Sequence, residues 1–295
     1  MSWLWIDAGG AQVWLPGVLV LGAIVGTMAG LFGVGGGFLL TPLLSVVFGV
    51  PLEIAVGTGL CQMVGTSLAS FLKHRALEQG ESRFAVLLAA GTFLGVELGA
   101  GAVSSLRRLG SVPGLPILWI DLVAKSGFAA FLLLISFLSW RRRTRLEPAD
   151  PTPGPLARLQ LGPRVFMPAV GFDAPAMVIA YLGLLLGFMA GFIGIGGGTV
   201  LLPLLVYGFG FPFRHGAATG LGLMVATAAV GTVTHAFRGH VSLPLAMALL
   251  VASTLTAQIG AGLTRRLKAG TLHGGFAAVT ALVAASLVWD VLRRL

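Results

Sequence analysis

The feature that most constrains the fold is a series of long apolar segments that are nearly free of charge. Residues 85–106 and 117–140 approach the ~20 apolar residues that a helix needs to cross the ~30 Å hydrocarbon layer of a bilayer. Only 10% of the 295 residues are Asp, Glu, Lys or Arg, against about 25% in soluble domains. The chain therefore cannot cover a water-facing surface with charge. The sequence predicts an integral membrane protein with many spans and excludes a soluble enzyme.

The 19 lysines and arginines outnumber the 10 acidic residues, and most of them lie between the apolar segments. Basic residues in such positions hold loops on the cytoplasmic side of a membrane, so we expect no nucleic-acid partner. The single cysteine, Cys61, excludes an intrachain disulfide and a cysteine-based metal cluster. We expect no cofactor, no metal site and no catalytic residue. The first residues lack the positive charge of a cleavable signal peptide, so the first apolar segment is expected to be retained.

The chain contains an internal duplication in which matching residues keep a constant offset. Residues 28–44 read MAGLFGVGGGFLLTPLL, and residues 189–205 read MAGFIGIGGGTVLLPLL. The same offset persists without a gap as far as Gly101, which matches Gly262. Further matches are Thr58 with Thr219, Met63 with Met224, Thr66 with Thr227, His74 with His235 and Gly99 with Gly260. One such match could be coincidence in an apolar chain, but the whole set indicates two homologous halves.

Each half contains five apolar segments, and the second segment of each half is short. The segments lie near 14–32, 36–50, 53–73, 83–106 and 117–140, and then near 174–193, 197–211, 214–236, 241–266 and 272–291. The short segments hold about 14 residues with one proline each, Pro42 or Pro203, and reach only ~21 Å at 1.5 Å per residue. The sequence therefore predicts an all-α polytopic membrane protein. Each half has four full transmembrane helices and one short helix that is either broken or re-entrant.

The relative orientation of the halves depends on the short segments. If all five segments cross, the halves are inverted, and 13 basic residues lie on the side of the central linker against 5 opposite. If the short segment only re-enters, the halves are parallel and the split is 12 to 6, with Lys125 inside a span in both cases. This difference does not decide between them. We favour inverted repeats because they are common in secondary transporters.

We divide the chain into a first transmembrane repeat at 1–140, a linker at 141–172 and a second transmembrane repeat at 173–295. The linker begins RRRTRLEPADPTPGP. Its prolines indicate a spacer, and its arginines indicate a cytoplasmic location.

The strongest local signal is a pair of glycine clusters, GLFGVGGG at 30–37 and GFIGIGGG at 191–198. Glycines between two apolar segments let the backbone leave helical geometry, which at membrane depth is tolerated only inside protein or beside a wet cavity. The short helix after each cluster directs its N-terminal N–H groups to that point, which suits an anion. We expect both clusters to converge on one ligand near the midplane, with tight helix packing as the alternative. A nucleotide loop is excluded because no GK[ST] follows.

The third segment of each half is predicted to line a pathway. Thr58, Gln62, Thr66 and Lys73 fall within an arc of ~80° on a helical wheel, and the second half repeats two of these threonines. Hydroxyl and amide groups can replace part of an anion's hydration, although threonine also bonds back to its own helix. The predicted substrate-binding residues are Gly33, Gly35, Gly36, Gly37, Thr58, Gly59, Gln62, Thr66, Gly194, Gly196, Gly197, Gly198, Thr219, Gly220 and Thr227.

The candidates for coupling or gating are Glu97, Lys73, His74 and His235. Glu97 lies in the middle of an apolar segment, where an ionisable group suggests function. A buried Glu97 could couple transport to protons or hydrogen bond as a neutral acid in a packed interface. The two histidines lie ~160° around the wheel from the first threonine of each segment, so we expect them to anchor an interface or loop. Asp121 and Lys125 are one turn apart and are expected to neutralise each other.

The doubled G-x-G-G-G cluster, the short proline-bearing segment after it and the T-G-L step together resemble one family. The pieces are GVGGG at 33–37, GIGGG at 194–198, GTGL at 57–60 and ATGL at 218–221. The pattern is similar to the TauE/SafE (four-toluene sulfonate uptake permease) membrane transporters and covers essentially the whole chain. The resemblance implies a permease of the bacterial inner membrane, often an exporter, for sulfur-containing anions such as sulfite, thiosulfate, sulfoacetate or other organosulfonates.

We therefore expect a secondary transporter with alternating access, in which the two halves rock around the glycine-lined site. The expected partners are a small anionic substrate, the lipid bilayer and further copies of the chain in a homo-oligomer. The alternatives are a polytopic membrane enzyme that uses the histidines and Glu97, a non-transporting assembly partner, and a carrier of another small anion or a metal cation. The sequence leaves the anion, the direction of transport and the coupling ion open.

Overall fold

A computed structural model describes residues 4–75, 82–113, 118–142, 153–168, 170–194, 198–264 and 266–294. Within these ranges the chain is mainly helical, as predicted. The helices of the first half are α1 (Leu15–Phe32), α2 (Gly37–Val46), α3 (Leu52–Arg75), α4 (Ser82–Arg108) and α5 (Trp119–Arg142). Those of the second half are α6 (Ala176–Ile193), α7 (Gly198–Pro203), α8 (Phe213–Phe237), α9 (Leu243–Thr264) and α10 (Ala269–Arg294). A π-helical stretch, Leu204–Phe209, continues α7.

Eight helices in the described part of the chain are long and apolar enough to cross a membrane. The short helices at the predicted positions are α2, with 10 residues, and α7 with its π-helical extension. Large apolar side chains such as Phe93, Leu255 and Leu282 are 62–72% exposed on the outer helix faces. Such a surface does not suit water and does suit lipid. The chain is an integral multi-pass membrane protein.

The ends of α1 and α6 follow from their sequences. Pro16 lies in the first turn of α1, where its missing N–H leaves no helical hydrogen bond unmade. Each helix ends at a glycine in the left-handed conformation, Gly33 with φ 69° and Gly194 with φ 75°. The N–H of each glycine donates to the carbonyl four residues earlier, at 2.9 and 2.8 Å. The two ends therefore share one geometry, at positions that match in the sequence duplication.

Two β-hairpins precede α1 and α6, and the sequence analysis did not predict them. Strands β1 (Trp5–Ala8) and β2 (Ala11–Trp14) pair antiparallel, and so do β3 (Arg164–Met167) and β4 (Phe172–Pro175). In the first hairpin the N–H of Gly10 donates to Oδ1 of Asp7 at 2.8 Å, which closes the turn. Strand β3 and part of β4 lie within the segment assigned as linker, so the linker is not wholly irregular.

The most extensive helix packing joins helices from different halves. Helix α1 packs on α9, α6 on α4, α3 on α8 and α5 on α10. Glycines allow the first two contacts: a Cβ atom on Gly26 would overlap the backbone oxygen of Ser253, and one on Gly187 would overlap that of Thr92. Small residues let helix backbones approach closely in membranes. Neither half therefore forms a compact unit by itself.

Matched contacts show that two of these pairs are parallel. Helix α1 runs parallel to α9, since Gly22 meets Leu249 and, eight residues later, Gly30 meets Ala257. Helix α6 is likewise parallel to α4. The contacts that establish this are Gly91 with Ala180 and Gly99 with Phe188.

Helix α3 also runs parallel to α9, since Thr58 contacts Ser242 and Gly65 contacts Leu250. It runs antiparallel to α4, because Arg107 near the end of α4 pairs with Glu53 near the start of α3. Together with the parallel pairs, these contacts place α1 and α6 in opposite directions.

Two further pairs are antiparallel. Helix α3 runs against α8, since Leu60 meets Gly231 and Phe71 meets Gly222. Helix α5 runs against α10, because Lys125 near the start of α5 reaches Asp290 near the end of α10, while Ser136 bonds Ala277.

Candidate functional site

The first glycine loop is an abrupt reversal between α1 and α2. Gly33, Gly35 and Gly36 have φ values of 69°, 66° and 79°, a region that residues with a Cβ rarely adopt. Gly36 precedes the first turn of α2 without a side-chain cap, and its carbonyl accepts from the N–H groups of Leu39 and Leu40 at 3.0 Å each. The glycines are thus required by backbone conformation, as the sequence analysis expected for an irregular segment.

Each loop lies against the long third helix of the other half. A Cβ atom on Gly33 would lie 2.7 Å from the Cα of Ala217 in α8. A Cβ atom on Gly194 would lie 2.9 Å from the Cα of Val56 in α3. These approaches leave no room for a side chain. Gly220 of α8 also lies near this contact, since a Cβ atom on Gly220 would lie 3.4 Å from the Gly33 carbonyl oxygen.

The first loop also meets Gly194, the described residue at which the second glycine cluster leaves α6. The hydroxyl of Thr41 in α2 donates to the Gly194 carbonyl at 3.4 Å, and a Cβ atom on Gly37 would lie 2.7 Å from the same oxygen. Gly59 of α3 lies on the other side of Thr41: a Cβ atom on Gly59 would lie 3.2 Å from the Thr41 hydroxyl oxygen. Gly196 and Gly197 lie outside the described residues, and Gly198 begins α7.

Part of the polar face of α3 reaches the first loop. Gln62 and Thr66 are fully buried, and the Gln62 Nε2 donates to the Thr66 hydroxyl at 3.4 Å. That hydroxyl lies 3.3 Å from two carbonyls of its own helix, those of Gln62 and Met63, and 3.4 Å from the Gly35 carbonyl. The Gln62 Oε1 is buried without a hydrogen-bond partner. An amide oxygen accepts hydrogen bonds, so a buried Oε1 without a partner is unfavourable, and a water molecule or a ligand group that donates a hydrogen bond would be stabilised at this point.

Other predicted polar residues are used structurally. The Thr58 hydroxyl accepts from the Ser242 N–H at 3.0 Å, at the start of α9. The Thr219 and Thr227 hydroxyls donate to carbonyls of their own helix, at 2.7 and 2.9 Å. These two hydroxyls therefore follow the alternative given for threonine, in which the side chain donates to a carbonyl of its own helix.

Glu97 is not buried within the described part of the chain, so the expectation of a buried carboxylate is wrong. Its side chain is 58% exposed and pairs with Arg238 at 2.5 Å, while the Thr234 hydroxyl donates to its second oxygen at 3.2 Å. This pairing is possible because Arg238, immediately after α8, lies beside the middle of α4. Its role in coupling or gating stays a prediction.

His235 is fully buried at the end of α8. Its Nε2 lies 3.0 Å from the Gly191 carbonyl in the second glycine cluster, a contact that agrees with an anchoring role. Its ring is tilted against that of His240, with centroids 5.7 Å apart. Lys73 and His74 lie in α3, but their side chains fall outside what the structure describes.

Lys125 has a second partner that the sequence did not reveal. Its ammonium lies 3.4 Å from Asp121, as expected, but 2.7 Å from Asp290 of α10. All three side chains are at most 15% exposed. The group joins the last helices of the two halves.

A family model matches most of the chain, including the segments that build this site. The model of the family described as "Sulfite exporter TauE/SafE" matches residues 18–287, a range that includes both glycine loops and the helices that flank them. The chain belongs to this family. As a TauE/SafE member it is a membrane transporter and not an enzyme.

Curated relatives carry transporter names. The chain is 26% identical to "Probable membrane transporter protein YunE" of Bacillus subtilis, over 92% of this chain and 97% of the relative. It is 24% identical to a probable membrane transporter protein of Methanocaldococcus jannaschii, over 86% and 87%. A probable membrane transporter protein of Xylella fastidiosa is 26% identical, over 91% and 92%. No solved structure matches the chain significantly.

Proposed function

We propose that this TauE/SafE member is a secondary permease that exports small sulfur-containing oxyanions, such as sulfite, thiosulfate or organosulfonates, across the bacterial inner membrane. The family description names sulfite export, whereas the relatives' names specify transport alone. The basic linker lies on the cytoplasmic side in this proposal, because most of the positive charge outside the spans is on that side.

The observation that carries the proposal is the approach of the first glycine loop to Gly194 of the second glycine cluster. Gly37, at the start of α2, approaches the Gly194 carbonyl, and α3 brings Gln62 and Thr66 to the same place. Within the described residues, the polar side chains that contact the loops are uncharged, so no carboxylate repels an anion there. The N–H groups at the start of α2 favour an anion.

The halves form an inverted repeat in this proposal. Supporting it, α1 and α6 run in opposite directions, and so do α3 and α8, and α5 and α10. In inverted repeats, broken helices place a substrate site at the pseudo-twofold axis near the midplane. The meeting of the two glycine loops agrees with such a site.

The moving units in this proposal are not the two halves. Helices α1 and α9 pack backbone to backbone, and so do α4 and α6, although each pair combines both halves. We expect each of these pairs to move as one body. The contact between α3 and α8 is made by larger side chains such as Leu60 and Phe71. Sliding of α3 along α8 would open the glycine loops first to one side of the membrane and then to the other.

Reconstituted liposomes test the transport proposal. We expect flux of radiolabelled sulfite, thiosulfate or sulfoacetate, and loss of that flux in Gly37→Leu and in Gly194→Leu. Gly101→Leu and Gly262→Leu are the matched controls, because a Cβ on either glycine meets nothing within 4 Å. Movement of another solute but no sulfur anion would overturn the substrate. No movement under any gradient would overturn the function.

Disulfide cross-links test the moving units, in a Cys61→Ser background. Gly22→Cys with Ala252→Cys joins α1 to α9, where the two Cβ atoms would lie 3.1 Å apart, near the ~3.5–4.5 Å of disulfides. Leu60→Cys with Gly231→Cys joins α3 to α8. We expect flux to survive the first cross-link and to stop with the second until it is reduced. Loss of flux with both cross-links would show that the halves move as units, and survival of flux with the second would show that α3 does not slide against α8.

A further inference from the structure

Two methionines occupy equivalent positions on the helices that flank the first glycine loop. Met63 of α3 and Met224 of α8 match each other in the sequence duplication, and both are fully inaccessible to solvent. Since α3 and α8 come from different halves and run antiparallel, the two side chains enter the same region from two sides.

Both side chains contact the glycine loop directly. A Cβ atom on Gly35 would lie 2.5 Å from the Met224 sulfur and 3.0 Å from the terminal methyl of Met63. A Cβ atom on Gly37 would overlap the Met63 sulfur. The space that side chains on the loop would take is therefore filled by methionine thioethers. The Ser67 hydroxyl lies 3.8 Å from the Met224 sulfur and donates to it.

The pair also borders the polar groups of the candidate site. Met63 is the neighbour of Gln62 in α3. The Met224 sulfur contacts Gly35, whose carbonyl lies close to the Thr66 hydroxyl. The Gln62 amide and the two thioethers therefore border the same loop, and an anion bound at that amide would lie beside a thioether. Methionine is unbranched with three rotatable side-chain bonds, so it can move aside without a shift of the backbone.

We propose that Met63 and Met224 form a side-chain gate at the first glycine loop and determine the largest anion that passes. The inference rests on the proposed transport function, because a gate requires a permeating anion. The methionines close the loop in the state described above, and rotation of their side chains opens it. Shortening either side chain enlarges the opening, whereas replacement by leucine keeps most of its volume.

Competing fluxes in liposomes test the gate. In Met63→Ala and Met224→Ala we expect the ratio of benzenesulfonate flux to sulfite flux to rise about tenfold, the low end of the discrimination that one or two methylene groups give in a pocket. Met63→Leu and Met224→Leu should keep the wild-type ratio. The controls are Met28→Ala and Met189→Ala, an equivalent pair that is only partly buried. An unchanged ratio in both alanine variants, with sulfite flux retained, would overturn the gate.

Thiol accessibility tests the gate in protein that is not transporting. Met224→Cys in the Cys61→Ser background should react with the anionic reagent sulfonatoethyl methanethiosulfonate, and sulfoacetate should slow the reaction. A static core residue would be unreactive, and that result would overturn the gate even if the alanine variants fail to fold. Absence of all sulfur-anion flux in the wild type would instead overturn the proposed substrate, while the thiol reaction would still report on access to the methionine position.

Discussion

The ion group of Lys125, Asp121 and Asp290 gives a prediction whose size follows from the structure. Lys125 is 1% exposed and lies 2.7 Å from Asp290 and 3.4 Å from Asp121. Asp290→Ala removes the shorter contact and leaves a buried ammonium with one carboxylate on its own helix. The perturbation is therefore a loss of pairing between α5 and α10, with little change in apolar packing.

Breaking a buried ion pair by removal of one partner destabilises a protein by about 3–5 kcal/mol. Asp121 keeps part of the attraction, so we expect the lower end of that range, about 3 kcal/mol of unfolding free energy. About 1 kcal/mol shifts Tm by roughly 2–4 °C in chains of roughly 150–250 residues, so Asp290→Ala should lower Tm by roughly 6–12 °C. Asp121→Ala should have a smaller effect, because its contact is longer and its side chain more exposed.

Thermal unfolding in detergent, followed by tryptophan fluorescence, measures the shift. Asp173→Ala is the matched control, since it removes the same charge from an exposed position on β4. Lys125→Met combined with Asp121→Asn and Asp290→Leu should recover most of the lost Tm, because it removes all three charges of the buried group. A Tm of Asp290→Ala equal to that of Asp173→Ala would refute the reasoning, and so would a triple variant less stable than the single one.

Three further predictions concern packing, coupling and pH. Gly26→Ala should lower Tm because its Cβ overlaps a carbonyl oxygen of α9, whereas Gly101→Ala, which meets nothing, should not; equal melting curves would contradict this. Glu97→Gln should leave the pH profile of liposome flux unchanged, because the carboxylate pairs with Arg238 on an exposed face; a shifted profile would restore a coupling role. Burial lowers the pKa of His240 below its ordinary 6.5; the Glu53 carboxylate opposes this shift, and the guanidinium groups of Arg107 and Arg238 add to it. The unfolded chain therefore binds the proton first as pH falls below 6.5, and stability falls with it. His240→Gln should reduce this loss of Tm at a pH of about 5.5, below the ordinary histidine pKa, and an unaltered loss would contradict the assignment.

The sequence predicted helices and their ends well, because apolar runs, glycines and prolines act locally. The segment expected near 14–32 is α1 at Leu15–Phe32, and the short segments lie where the glycine clusters placed them. The first glycine loop likewise has the irregular backbone that its composition required.

Contacts between distant residues were beyond reach of the sequence. Glu97 and Arg238 are 141 residues apart, and Lys125 and Asp290 are 165 apart. The sequence separation of neither pair predicts a contact, since only the packing of α4 beside α8 and of α5 beside α10 brings the residues together. For the same reason the sequence showed Thr58 on a polar face but not that its hydroxyl is used at the start of α9.

The exchange of helices between halves has a consequence for biogenesis. Helix α1 enters the membrane early, yet its glycine face is complementary to α9, which the ribosome finishes roughly 10–50 s later at about 5–20 residues per second. Until then this face has no protein partner of the shape that α9 supplies. The chain can therefore reach its final helix packing only after its ninth helix has been inserted.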